Sequence, residues 1–144
     1  MNKLSQIDLE KINKALDNPK NDSIVNIDMD RILELNRRIL KELDLSKHQE
    51  KEMELKLKEY VFVDELNEIE EGGFIKWINL EPENGQYKLK EGGIILGYDI
   101  GKEGVILKCK NFNRRFFSLS LEKNLIFQKL SRQQLILLSA LKLI

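Results

Sequence analysis

The hydrophobic pattern of this 144-residue chain changes at Tyr60, and the change limits the fold more than any other feature of the sequence. Before Tyr60 the apolar residues recur every three or four positions, which is the spacing of one helix face. After Tyr60, short apolar or alternating runs are separated by Gly, Asn and Pro, which is typical of strands joined by turns. We therefore expect an α+β fold, with helices over residues 1–60 and a small β-rich domain over residues 61–144.

Three helices are predicted in the first region. Residues 5–17 carry one apolar face and are followed by a linker over residues 18–27, which is rich in Asn, Asp and Ser and contains a proline. Residues 28–44 have the strongest helical periodicity, and another helix begins at Ser46, which fits a capping box. The link "LDLS" between these two helices is short and predicts a helical hairpin.

Five short strands are predicted in the second region, from the runs "GGFIKWINL", "GQYKLKEGGIILGYDI", "GVILKCKN", "RRFFSLSL" and "NLIFQKL". The segment "KNFNRR" is typical of a hairpin turn, because Asn tolerates a positive φ. Five short strands in about 60 residues favour a small antiparallel barrel or a strongly bent sheet, and we expect an SH3-like barrel. The apolar segment at the end of the sequence is expected to form a helix that closes this barrel.

Two glycine pairs, Gly72-Gly73 and Gly92-Gly93, each follow a glutamate and precede an apolar run. A phosphate-binding loop of the Walker type needs Gly, four residues, and then Gly-Lys-Ser or Gly-Lys-Thr between a strand and a helix, and neither pair fits this pattern. We interpret both pairs as structural, at a turn or a bulge.

The sequence contains no diagnostic catalytic motif. Cys109 is the single cysteine and His48 the single histidine, so a zinc site or a Cys–His couple lacks its parts. Residues 61–71 carry five acids and no base, and we expect them to fold against the basic strands as a solvated segment. We therefore expect a binding module that is not an enzyme, with no cofactor and no metal.

Charge is distributed unevenly, although the net charge is zero. Residues 101–144 carry nine Lys or Arg and two Asp or Glu, a balance that favours an anionic partner. The stretch "LKCKNFNRRFFSLS" interleaves basic and aromatic residues, which suits phosphates and unpaired bases. The candidate nucleic-acid-binding residues are Lys108, Lys110, Phe112, Arg114, Arg115 and Phe116.

The last segment suggests a different kind of partner. Eight of the last ten residues are apolar, so a helix there needs to be buried, either within the chain or against another protein. The candidate protein-interaction residues are Leu135, Leu138, Leu141 and Ile144. Our leading expectation is a protein-interaction or structural component of a larger assembly, with homodimerisation plausible, and nucleic-acid binding is the alternative.

The same sequence bears on the cellular compartment. A single cysteine allows no intrachain disulfide, and the polar start "MNKLSQIDLEKINK" lacks the apolar core of a signal peptide. No run reaches the roughly 20 apolar residues that span a bilayer. We expect an intracellular protein without a membrane partner.

The segments "YVFVDELNEIEEGGFIKWINL", "GGIILGYDI" and "CKNFNRRFFSLSLEKNLIFQKLS" resemble a set of uncharacterised proteins of large double-stranded DNA viruses, of the giant-virus and algal-virus type. The resemblance covers roughly residues 60–135. It implies a viral source, with the host cytoplasm or the virion as location. A virion component, a genome-associated protein or a host-directed adaptor is compatible with it, and it carries over no functional residue.

Overall fold

The computed structural model describes residues 6–17 and 28–143. Four α-helices lie in these ranges: α1 (Gln6–Asp17), α2 (Met29–Lys41), α3 (Lys47–Lys56) and α4 (Arg132–Leu143). The expected linker over residues 18–27 lies outside the described residues. The Asp28 side chain caps α2 by accepting a hydrogen bond from the Arg31 N–H at 2.8 Å, and Ser46 caps α3, as its position predicts. The helices α2 and α3 pack against each other as a hairpin.

Six strands form one antiparallel sheet: β1 (Tyr60–Val63), β2 (Phe74–Asn79), β3 (Leu89–Gly101), β4 (Gly104–Asn111), β5 (Phe116–Ser120) and β6 (Asn124–Lys129). Their order is β1-β6-β2-β3-β4-β5. The α+β class is confirmed, but the expected closed five-stranded barrel is wrong. The four residues of β1 follow α3 almost directly and were not predicted as a strand. A closed barrel would require β1 to pair with β5, and these strands are the two edges of the open sheet.

The two glycine pairs shape the sheet, as the sequence indicates. Ile75 pairs with Gly93 and Lys76 pairs with Glu91, so Gly92 is the extra residue of a β-bulge, with φ +89°. Gly72 also has a positive φ and donates its N–H to the Ile95 carbonyl at 2.7 Å. Gly92 therefore forms a bulge within β3, Gly72 turns the chain just before β2, and neither pair leads from a strand into a helix.

The hairpin turn between β4 and β5 is confirmed, but its strained residue is not the expected one. The Asn111 side-chain oxygen accepts hydrogen bonds from the N–H groups of Asn113 and Arg115, at 2.9 and 3.0 Å. The positive φ, 63°, falls on Arg114 and not on an asparagine. The turn is therefore held by an asparagine side chain at its first residue.

One face of the sheet, which we call the inner face, carries a core of its own. Its buried residues come from all six strands and include Cys109, and Trp77 stacks on Phe117 with ring centroids 5.2 Å apart. The segment of residues 64–71 is fastened to this side by Gln128, which is 4% exposed. Gln128 accepts a hydrogen bond from the Glu70 N–H at 2.9 Å and donates one to the Glu68 carbonyl at 3.3 Å.

The opposite face, which we call the outer face, is only partly covered. Over β1, β6 and β2 it packs against the helical hairpin, in a core of Leu40, Met53, Leu57, Ile78 and Phe127. The helical region and the sheet thus share one core across the boundary expected at residue 60. No described helix makes an extensive contact with the outer face of β4 and β5.

The C-terminal helix α4 lies against α1. Leu138 is 2% exposed and belongs to a buried cluster with Ile32 and Leu130. Leu138 is therefore part of the core of this chain, which corrects its assignment to a surface for an outside protein. Among the described residues, no helix has the length and apolar character needed to cross a membrane.

Candidate nucleic-acid interface

Aromatic and lysine side chains form one row across the outer face. Tyr60 pairs with Lys129 at the β1 end, and the register of β2 with β6 puts Phe74 next to Lys129. From Phe74 the row continues through the directly opposed residues Ile94 of β3, Lys110 of β4 and Phe116 of β5. Directly opposed residues of neighbouring strands share a face. We call this set the aromatic row: Tyr60, Lys129, Phe74, Ile94, Lys110 and Phe116.

The phenyl rings at the β5 side of this row face solvent. Phe116 is 79% exposed and Phe74 is 43% exposed. Phe112, 66% exposed, approaches Phe74 edge-on with ring centroids 6.0 Å apart, so it extends the row at the turn. Phe112 also lies over the bulge, because a Cβ at Gly92 would be 3.6 Å from its ring. A Cβ there would make only an ordinary contact with the ring, so it is the positive φ of Gly92 that favours glycine at this position.

A groove of about 530 Å³ lies at the other end of the row, between Phe74 and Tyr60. Lys76 lies in it with its Nζ 4.6 Å from the centroid of the Tyr60 ring, and this Nζ also donates to the Lys56 carbonyl at the end of α3. Burial, followed by the nearby carboxylates of Glu91 and Glu59, raises the pKa of Tyr60. Tyr60 thus stays a neutral phenol with Lys76 against one side of its ring.

The predicted basic residues do not all share one face. Lys108 and Lys110 lie on the outer face with Phe116, and the Lys108 Nζ is 3.4 Å from an Asp99 carboxylate oxygen. Arg115 directly precedes Phe116, so strand alternation directs it to the opposite face. Arg114 lies in the turn. The structure thus brings together Lys108, Lys110, Phe112 and Phe116 of the predicted set, and separates Arg115 from them.

The acidic segment does not pair with these bases. Within the described part of the chain, no ion pair joins a carboxylate of residues 61–71 to Lys108, Lys110 or either arginine. Instead the Glu68 side chain accepts hydrogen bonds from the N–H groups of Asp64 and Glu65, at 3.4 and 3.1 Å. Burial, followed by a hydrogen bond with Asp64, raises the pKa of Glu68.

Of the predicted protein-interaction residues, only Leu135 is described as partly accessible. Leu138 is in the core, and the side chains of Leu141 and Ile144 lie outside the described residues. Sequence reasoning missed Phe74, Tyr60 and Lys129. For Phe74 a signal exists, since "FIKWIN" alternates and places Phe74 and Lys76 on one face; for the other two, only the strand register shows that they belong to the row.

The single cysteine, Cys109, lies in the core of the inner face. Burial raises the pKa of the Cys109 thiol to about 11, and the residue is 1% exposed, so it is a core side chain and a poor nucleophile. Among the described side chains, no group of three His, Cys, Asp or Glu is placed to hold a metal ion.

Comparison of the chain with models of protein families, with curated proteins and with solved structures finds no match.

Proposed function

We propose that this protein is a binding module for single-stranded nucleic acid, which it holds across the aromatic row. The observation that carries the proposal is the set of exposed rings Phe74, Phe112 and Phe116 beside Lys129 and Lys110, along one cross-strand row on a sheet face that the helical hairpin covers only in part. Rings in such a position stack on unpaired bases, and the lysines between them can reach the phosphates. No catalytic step is part of the proposal.

The dimensions of the row suit several nucleotides. Neighbouring strands are about 4.8 Å apart, so six strands place the ends of the row about 24 Å apart. Each stacked base contributes about 1–3 kcal/mol. In a duplex the faces of the bases are hidden by their neighbours, so exposed rings on a sheet favour a single strand. If the chain has the viral source that its resemblance implies, this surface favours the genome-associated role among the three.

A protein partner within a larger assembly is the second candidate function. The observation that favours it is the exposure of Phe112 and Phe116, because large apolar side chains on a surface also anchor protein interfaces. The two functions differ in the role of the lysines. A phosphate contact makes affinity fall steeply with salt, whereas an apolar anchor does not.

The test is a fluorescence-anisotropy titration of labelled single-stranded DNA, single-stranded RNA and duplex DNA at low and physiological salt. We use oligonucleotides of about 16 nucleotides, the upper range for one small β-domain. We expect Phe116→Ala to weaken single-strand binding by about 5- to 150-fold, the equivalent of one lost stacking contact. Ile100→Ala is the matched control, since Ile100 is a 69% exposed apolar residue on the inner-face side of β3, opposite Val105.

A second pair of variants tests the charge. Lys110→Ala is expected to reduce the salt slope of single-strand binding by about 0.7, the value for one phosphate contact. Arg115→Ala removes the same charge from the other face and is expected to leave the slope nearly unchanged. The proposal is wrong if no oligonucleotide binds at low salt, if duplex is preferred, or if the two charge variants lose the same affinity. Absence of binding at low salt would favour the protein-partner function.

A further inference from the structure

Along the edge of β5 that is turned away from β4, backbone N–H and C=O groups have no partner strand in the described residues. The Arg115 carbonyl and the Leu121 N–H bond to β4, with the Asn111 N–H and the Val105 carbonyl respectively. Antiparallel ladders alternate, so the N–H and C=O groups of the intervening residues Phe116, Ser118 and Ser120 point away from β4. β5 is last in the strand order, and among the described residues no other strand pairs with it.

This edge lacks the devices that normally discourage pairing. The strand "FFSLS" contains no proline and no charged residue, and its register with β4 is unbroken. The other edge strand is different, because α2 contacts β1 and the Asn36 side-chain N–H donates to the Tyr60 carbonyl at 2.9 Å. The two edges of the sheet are thus unequal: in the described part of the chain, the edge of β1 is contacted by α2, whereas the edge of β5 is open to another strand.

We propose that β5 pairs in antiparallel fashion with β5 of a second copy of this chain, with the two-fold axis at Ser118. The two Ser118 residues then exchange N–H···O=C bonds. The Ser120 N–H of each copy meets the Phe116 carbonyl of the other. The Ser120 carbonyl is already occupied by the Lys123 N–H and the Asn124 side chain, so it adds little.

Side chains complement one another in this register. On the inner face, Phe117 of one copy lies opposite Leu119 of the second copy, which continues the apolar core across the junction. Arg114 and Glu122 are exposed in the turns directly before and after β5. In this register the turn with Arg114 in one copy meets the turn with Glu122 in the second copy, and symmetry makes this opposite-charge approach twice. Moving the axis to Leu119 would instead put Arg115 opposite Lys123 of the second copy. Charge therefore selects the register centred on Ser118.

The dimer is inferred without using the proposed function, but it would change the size of the proposed nucleic-acid surface. Joining the two sheets edge to edge makes their outer faces continuous, with Phe116 of one copy opposite Ser120 of the second copy. Two aromatic rows then share one enlarged sheet. Dimer formation is measured without nucleic acid, so failure of one proposal is distinguishable from failure of the other.

The experiment is sedimentation equilibrium over a wide protein concentration range. We expect the wild-type mass to approach twice the chain mass of 16.9 kDa. Ser118→Pro is expected to weaken the dimer at least tenfold, because proline removes an N–H that points outward and has no bond within the chain. Ser118→Ala keeps that N–H and is the control, expected to remain dimeric. Near-UV circular dichroism checks that each variant is folded.

A charge exchange makes the test independent of the proline variant. Arg114→Glu and Glu122→Arg are each expected to weaken the dimer, since each places like charges opposite one another. The double variant Arg114→Glu/Glu122→Arg restores the opposite-charge pairs and is expected to restore the dimer. A wild-type mass of 16.9 kDa at every concentration, a folded Ser118→Pro dimer of unchanged affinity, or no recovery in the double variant would each overturn the inference.

Discussion

Replacing Gly93 with alanine tests how closely the inner face is packed where β3 pairs with β2. A Cβ at Gly93 would lie 3.0 Å from Ile75 Cγ1, 3.0 Å from Trp77 Cζ3 and 3.1 Å from Phe117 Cζ. Contacts this short require the neighbours to move. They cannot move freely, because Ile75 is 1% exposed and the rings of Trp77 and Phe117 stack on each other. The substitution therefore overpacks a core site.

The magnitude follows from two opposing effects. Overpacking a core by one methyl group costs about 1–3 kcal/mol of the free energy of unfolding. Replacing glycine within a strand recovers about 0.5–1 kcal/mol of backbone entropy. We expect a net loss of up to about 2.5 kcal/mol for Gly93→Ala, where a glycine replacement without the close contacts would gain stability. Urea denaturation followed by tryptophan fluorescence measures this directly, because Trp77 is the single tryptophan and one of the displaced rings.

Gly101→Ala is the matched control in the same strand. An added Cβ there has no heavy atom within 4 Å, and the residue has no positive φ. We expect this variant to be as stable as the wild type or slightly more stable. If Gly93→Ala is as stable as Gly101→Ala, the reasoning about close packing between Trp77, Phe117 and β3 is wrong.

Three further predictions concern the half-buried Glu68 and the buried Gln128 and Cys109. The pKa of Glu68 is raised above its ordinary 4.5, so protonation stabilises the fold: this contribution is complete below pH 4.5 and lost as pH rises through the folded-state pKa. Glu68→Gln should therefore match the wild type at low pH and exceed its stability by under about 1 kcal/mol at pH 7 in urea denaturation, and a less stable variant at pH 7 would contradict this. Gln128→Leu should lose about 1–3 kcal/mol in the same assay, because the Glu70 N–H is left without that partner; Lys129→Leu, at an exposed position, is the comparison. The Cys109 thiol should react with a thiol reagent only as fast as the protein unfolds, and rapid labelling in native buffer would show that the inner face opens locally.

The elements that follow from local chemistry could be predicted from the sequence. Ser46 caps α3 because its side chain accepts the Gln49 N–H, a contact between residues three positions apart. The glycine bulge and the asparagine-held turn are likewise local. The open sheet was not predictable in the same way, because β1 pairs with β6, which is distant in the chain. A four-residue strand is too short to show a periodic pattern, and its sequence does not indicate which strand it pairs with.

The residues of the candidate interface also fall into two groups, those that are close in sequence and those that only the strand pairing brings together. Lys110, Phe112 and Phe116 lie in one stretch of sequence, and their basic and aromatic character was visible there. Tyr60 and Lys129 join them only through the strand register, which the sequence does not display. Arg115 stands among the interleaved basic and aromatic residues of that stretch, yet adjacent residues of a strand face opposite ways, so it does not share the face of Phe116. Proximity in sequence was therefore a poor guide to proximity on the sheet.

The pairing of β1 with β6 also has a kinetic consequence. During synthesis the helical hairpin and β1 emerge long before Phe127, the β6 residue that the buried side chains of the hairpin pack against. Until then, the apolar face of the hairpin lacks part of the surface that it packs against. The position of β6, between β1 and β2, is also unfilled. Contacts between such distant segments close late, because the entropy of the long intervening loop is lost first. The nascent chain thus has an interval in which chaperone binding or premature association competes with the final strand.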